Sequence, residues 1–106
     1  MLEKVRGHPH FVQCLDVFAS GPSGASEVGL VMERCQTVLS KMGVLERPVL
    51  VRVSEGILSA LGFLHAMSVI HCDLKPANIL VNSADSSPRV LVSDLGSAMQ
   101  VAGDSL

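Results

Sequence analysis

The chain has 106 residues, of which 48% are hydrophobic and only 17% charged, with a formal net charge of −2. That length holds one domain at most, and the charged fraction falls below the roughly 25% of an ordinary globular domain, as expected of an interior cut from something larger. The near-neutral balance supplies no basic field for nucleic acid or an acidic membrane surface.

Three cysteines, Cys14, Cys35 and Cys72, stand at wide spacings without a C-x-x-C pair. An odd, scattered set argues against a disulfide framework or a zinc site and favours a reducing compartment. No run approaches the ~18 apolar residues of a membrane span. The opening MLEKVRGHPHFVQCLDVF is broken by Asp16 and lacks an apolar signal core. These features predict an intracellular, cytoplasmic protein with no nucleic-acid or membrane partner.

In chain order, a short helical end comes first. FVQCLDVF and VGLVMERC then flank the turn-rich ASGPSGASE of residues 19–27, which predicts a hairpin. Residues 49–67 carry apolar positions at three- and four-residue steps: Leu50, Val53, Ile57, Leu61, Leu64 and Met67. That period predicts a helix, with Pro48 suited to its first turn. Gly56 and Gly62 weaken such a helix by about 1 kcal/mol each relative to alanine, so close packing is the better reason for them. A polar loop follows. NILVN and RVLVSD around NSADSSPR, residues 82–89, then predict a second hairpin. The order is α+β, with the polar loop between helix and strand.

The polar loop carries the chemistry. In HCDLKPAN, Asp73, Lys75 and Asn78 alternate with apolar residues, and Pro76 stiffens the backbone. Phosphoryl transfer needs a carboxylate near the attacking hydroxyl, a cation against the transferred phosphate and oxygen ligands for Mg²⁺. These three residues are of those types. Asp94, in VSDLGSA, ends the second hairpin and is thereby returned toward Asn78. Together the two would provide the few protein oxygens that Mg²⁺ prefers.

With those residues in view, the chain resembles a eukaryotic-type protein kinase domain from about residue 2 to about residue 100. HCDLKPAN is similar to the catalytic loop H-R-D-L-K-x-x-N, with Cys72 in place of the arginine, and D-L-G at 94–96 resembles the metal-binding D-F-G. GLVMERC resembles the strand and hinge that carry ATP, and GHPHFVQCLDVF the segment after the regulatory helix.

The resemblance implies a partial kinase fold: residues 1–35 as the end of the small lobe with its hinge, and 36–106 as the start of the large lobe. It implies ATP and Mg²⁺ as cofactors and a protein with a Ser/Thr acceptor as substrate, since Lys75 followed by Pro76 looks like the serine/threonine class. Asp73 would be the catalytic base and Lys75 would meet the γ-phosphate. Asn78 and Asp94 would hold Mg²⁺. Met32, at the gatekeeper position, and Glu33, Arg34 and Cys35 of the hinge would face the nucleotide. His71 would support the loop.

Other parts that the resemblance implies do not occur within these 106 residues. They are the glycine-rich loop, the V-A-I-K lysine with its partner glutamate, and the activation segment with A-P-E. Because that Lys–Glu pair and the metal-binding Asp must both be in place for catalysis, the chain is expected to be an inactive fragment of a serine/threonine kinase. The alternative is a non-catalytic, pseudokinase-like interaction module. It is favoured by the missing lysine and by Cys72, and disfavoured by the four remaining catalytic positions. A small-molecule kinase of related fold fits the L-K-P-x-N form of the loop less well. Cys72 reads as a passive replacement, His65 as a packing or hydrogen-bonding residue, and Met32 as a core residue that also touches a ligand. The terminal GDSL, residues 103–106, matches a serine-hydrolase motif but has no companion block.

Overall fold

A computed structural model describes residues 2–21, 27–82 and 88–102. The tips of both expected turns, 22–26 and 83–87, and the GDSL segment lie outside them.

Strands β1 (Cys14–Ser20) and β2 (Glu27–Met32) pair antiparallel, with a register shift between Cys14 and Asp16. This is the first expected hairpin. A short β3 (Thr37–Val38) and a 3-10 turn at Leu39–Lys41 lead to helix α1 (Arg47–Ala66). Beyond α1 come β4 (Val69–Ile70), β5 (Ile79–Asn82), β6 (Arg89–Val92) and β7 (Met99–Gln100). Three small sheets result: β1–β2, β3–β5–β6 and β4–β7. The second expected hairpin is β5–β6, in which Ile79 faces Val92 and Asn82 faces Arg89.

The helix starts two residues ahead of the expected 49, with Pro48 in its first turn, where the missing N–H costs nothing. Its buried stripe is Val53, Gly56, Ala60 and Leu64. Of the expected apolar positions, Val53 and Leu64 hold, Ile57 and Met67 pack at the margin, and Leu50 is half exposed. The departure has a steric cause. A Cβ at Gly56 would lie 2.9 Å from Val90 Cβ and 3.2 Å from His10 Nδ1, so β6 and the His10 segment approach the helix too closely for a side chain there. Gly62 meets nothing within 4 Å, and close packing does not account for it.

By length and apolar composition α1 would also pass as a membrane span, against the expectation that no run approaches one. Here it carries Arg52 and Glu55 and packs one stripe against β4 and β6. It is a wall of the core.

The core joins that stripe to Val5, Phe11, Val69, Ile79, Val90, Val92 and Leu95. Residues 10–12 run beside β6, where Val92 N donates to His10 O at 2.8 Å and Val12 N to Val92 O at 3.1 Å. The N-terminal third is thereby fastened to the hairpin that ends at Asp94. The β1–β2 ribbon contrasts with this core: Leu15, Val17, Phe18, Val28 and Leu30 are all half exposed or more.

Candidate active site

The polar loop begins where α1 turns into β4. Ser68, in the left-handed region at φ 58°, reverses the chain after the helix, and β4 then pairs with β7. The next side chain, His71, is almost completely buried. Its Nδ1 accepts the N–H of Asp73 at 3.2 Å and its Nε2 lies 2.8 Å from Ser93 O. Accepting a backbone N–H leaves Nδ1 without a proton, so Nε2 carries the hydrogen and donates it to that carbonyl. His71 therefore ties the start of the loop to the end of β6, consistent with its expected supporting position.

Cys72 follows in the left-handed region at φ 71° and is exposed. Asn78, at the end of the 3-10 turn Pro76–Asn78, is buried, and its Nδ2 donates to Asp73 O at 2.8 Å and to Asp73 Oδ2 at 3.3 Å. Lys75 Nζ sits 3.6 Å from Asp73 Oδ1 with more than half of its side chain in solvent. An exposed pair of this kind contributes little to stability, so it leaves the lysine available to another anion. Asp73, Lys75 and Asn78 form one interlocked group.

Asp94 is brought back beside this group by the β5–β6 pairing. Both the N–H and the Oγ of Ser93 bond Asn78 O, at 2.9 and 3.1 Å. Asp94 itself is left-handed at φ 60°, caps the short turn Leu95–Ser97, and accepts the Gly96 N–H in one long contact of 3.4 Å. Leu95 is buried in the core, an apolar anchor directly beside an exposed carboxylate.

These residues fit Mg²⁺ on the chemistry of their donors. With Asn78 Nδ2 committed as a donor to Asp73, Oδ1 is the oxygen left over, and it takes no hydrogen bond among the described residues. An amide oxygen and a nearby exposed carboxylate are hard ligands of the kind that cation takes.

Met32 to Cys35 lie at the end of β2 and just beyond it. Met32 ends β2 opposite Cys14. Glu33 exchanges a bond with Gln13 through the backbone and accepts the Gln13 N–H on Oε1 at 2.9 Å, while Oε2 meets Arg89 at 3.3 Å. Arg34 and Cys35 line a cavity of about 370 Å³ with Gln36 and Asn82. Burial first, then the Glu33 carboxylate, pushes the Cys35 thiol up, against an opposing pull from Arg89. Among the described residues no hydrogen bond or ion pair joins 32–35 directly to Asp73, Lys75, Asn78 or Asp94; the recorded tie to that side is Glu33–Arg89. A larger cavity of about 410 Å³ is lined by Glu3, Arg6 and Asp16 among others, and by none of the expected site residues.

Sequence reasoning missed Ser93, Gln13 and Arg89. The Gln13 side chain donates to the carbonyls of Val5, His8 and Phe11 and accepts the Gly7 N–H, setting the approach to β1. None belongs to a motif. Only the position of Ser93, immediately before Asp94, offered a signal.

The protein kinase domain model matches residues 1–106. A putative ribosomal protein S6 kinase alpha-2 of Caenorhabditis elegans is 38% identical over 103 residues, covering 92% of this chain and 13% of that protein. The serine/threonine-protein kinase dkf-2 of Caenorhabditis briggsae is 37% identical over 108 residues, 92% of this chain and 8% of that protein. The gamma catalytic chain of mouse phosphorylase b kinase, liver/testis isoform, is 30% identical across the whole of this chain, which spans 26% of its length.

Proposed function

The chain belongs to the protein kinase family, and on that premise we propose that it is the central segment of a serine/threonine protein kinase domain, acting on protein hydroxyls with ATP and Mg²⁺. The observation that carries the reading is the interlock of Asp73, Lys75 and Asn78, joined through Ser93 to Asp94. The four catalytic positions present in these residues, Asp73, Lys75, Asn78 and Asp94, are linked there from two elements.

In this reading Asp73 accepts the proton of the attacking Ser or Thr hydroxyl. Its Oδ2 is steadied by Asn78 Nδ2 and its backbone N–H by His71, so the carboxylate is aimed before substrate arrives. Lys75, half in solvent and loosely held by Asp73, turns to the transferred phosphate as a mobile cation. Asn78 Oδ1 and Asp94 would hold Mg²⁺, which supplies charge neutralisation across the β- and γ-phosphates when bound. Met32 to Cys35 would receive the adenine. The serine/threonine preference is supported by the names of the relatives and by Lys75–Pro76. A cytoplasmic location is supported by the odd, widely spaced set of three cysteines.

Thermal shift with Mg·ATP tests the reading. On the complete natural polypeptide, binding raises the melting temperature and Asp94→Asn abolishes the Mg²⁺-dependent part of the rise. A polypeptide that melts cooperatively yet shows no response to nucleotide would favour the non-catalytic, pseudokinase-like module instead. For the 106 residues alone, which lack the lysine that anchors the phosphates, no shift is expected.

A further inference from the structure

We propose that Ser93 is a positioning residue whose hydroxyl fixes the separation of Asn78 and Asp94; this deepens the reading of those two as the Mg²⁺ ligands and rests on it. All three polar groups of Ser93 are engaged with the loop. Its N–H and its Oγ converge on Asn78 O at 2.9 and 3.1 Å, and its carbonyl receives His71 Nε2 at 2.8 Å. Among the described residues it supplies the only side chain bonded to the Asn78 backbone.

The two ligands are held in different ways. The Asn78 side chain is buried and locked by Asp73. The Asp94 side chain is exposed and has a single contact, at 3.4 Å, with Gly96 N. Asp94 also occupies the left-handed region at φ 60°, a conformation that an ordinary side chain keeps only where its surroundings over-determine it. What over-determines it here lies on its flanks: Leu95 anchored in the core on one side, and Ser93 bonded to the loop on the other. Releasing the hydroxyl leaves the backbone bonds in place, so the hairpin survives. Asp94 is then less firmly held against Asn78.

The test uses the complete natural polypeptide and a non-hydrolysable fluorescent ATP analogue, titrated with Mg²⁺ and separately in EDTA. Ser93→Ala is expected to raise the half-saturating Mg²⁺ concentration about threefold to tenfold, the equivalent of one net hydrogen bond. Affinity in EDTA stays close to wild type, and the melting temperature of the unliganded protein falls only by the few degrees that one hydrogen bond commands. Ser93→Thr, which restores the hydroxyl, returns the Mg²⁺ requirement to normal. An unchanged requirement in Ser93→Ala, alongside its loss in Asp94→Asn, would overturn the proposal while leaving the metal site standing. An Mg²⁺ response unaffected by Asp94→Asn, or no binding of the analogue by wild type, would overturn the reading of the site and the proposal with it. An equal loss of affinity with and without Mg²⁺ in Ser93→Ala would show a merely structural role and also overturn it.

Discussion

Ser68, Cys72 and Asp94 are the non-glycine residues that adopt positive φ among those described; the first two bound or belong to the polar loop, and Asp94 follows the hairpin that returns to it. Such conformations cost of order 1–3 kcal/mol each, so the loop is held by bonds that outweigh local preference. His8 shows another kind of local tension. It packs tilted against Phe63 at 4.5 Å and meets the edge of Phe11 at 5.2 Å, while its Nδ1 accepts the His10 N–H at 3.1 Å. Burial against those rings, and then the neighbouring His10, push its pKa below the ordinary value of 6.5. The unfolded chain therefore takes up a proton that the folded chain refuses, so stability falls as pH drops below about 6.5 and levels off once the folded His8 also protonates. Urea unfolding across pH 5–7.5 should show this decline. His8→Phe should reduce it, and an unchanged slope in that variant would assign the decline to other groups. The Phe63 contact was not legible in GHPHF, because α1 lies far away in sequence; Phe11 and His10 stand within the stretch, but nothing there announces that they fold back onto His8.

At the scale of elements, the two glycines of α1 separate what the sequence could and could not reveal. Both cost the helix about 1 kcal/mol relative to alanine, and their sequence environments look alike. Gly56 lies under β6, where a Cβ would sit 2.9 Å from Val90 Cβ. Overpacking of that order costs typically 1–3 kcal/mol, which equals or exceeds the propensity gain. Gly56→Ala should therefore be neutral to destabilising by about 2 kcal/mol. Gly62 has open space around it, so Gly62→Ala should stabilise by about 0.5–1 kcal/mol. Paired denaturation curves check both, and a stabilised Gly56→Ala would mean that β6 yields more readily than its packing implies. The period of residues 49–67 located the helix, and turn-rich stretches between apolar runs located both hairpins. The buried stripe shifted toward Gly56 and Ala60 because a neighbouring strand, invisible to periodicity, decides which face has room. The candidate site followed the same rule. Asp73, Lys75 and Asn78 are close in sequence and their grouping was legible. The bond network through Ser93 and His71 depends on hairpin register and was not.

For the molecule as a whole, the low charged fraction finds its counterpart in the β1–β2 ribbon. Val17 faces Leu30 across the pair, and they are 56% and 51% exposed, with Leu15 at 65% and Val28 at 71%. Monomeric proteins rarely leave contiguous apolar surface of this kind uncovered, and a two-stranded ribbon has unpaired edges besides. The core is elsewhere, between α1 and β6, so the ribbon contributes little to its packing. Two consequences separate the regions. Leu64→Ala, in the fully buried stripe, should cost about 2–5 kcal/mol. The double substitution Val17→Lys with Leu30→Glu places opposite charges on facing positions and should change stability by less than about 1 kcal/mol. It should nevertheless lower the binding of an apolar dye and the tendency of the 106-residue polypeptide to self-associate. Light scattering and dye fluorescence measured on both variants and the parent decide the matter. If the ribbon variant unfolded as readily as Leu64→Ala, the ribbon would be part of the core after all; if it still bound dye as the parent does, the sticky surface would lie on α1, where Leu50 and Leu58 are also exposed.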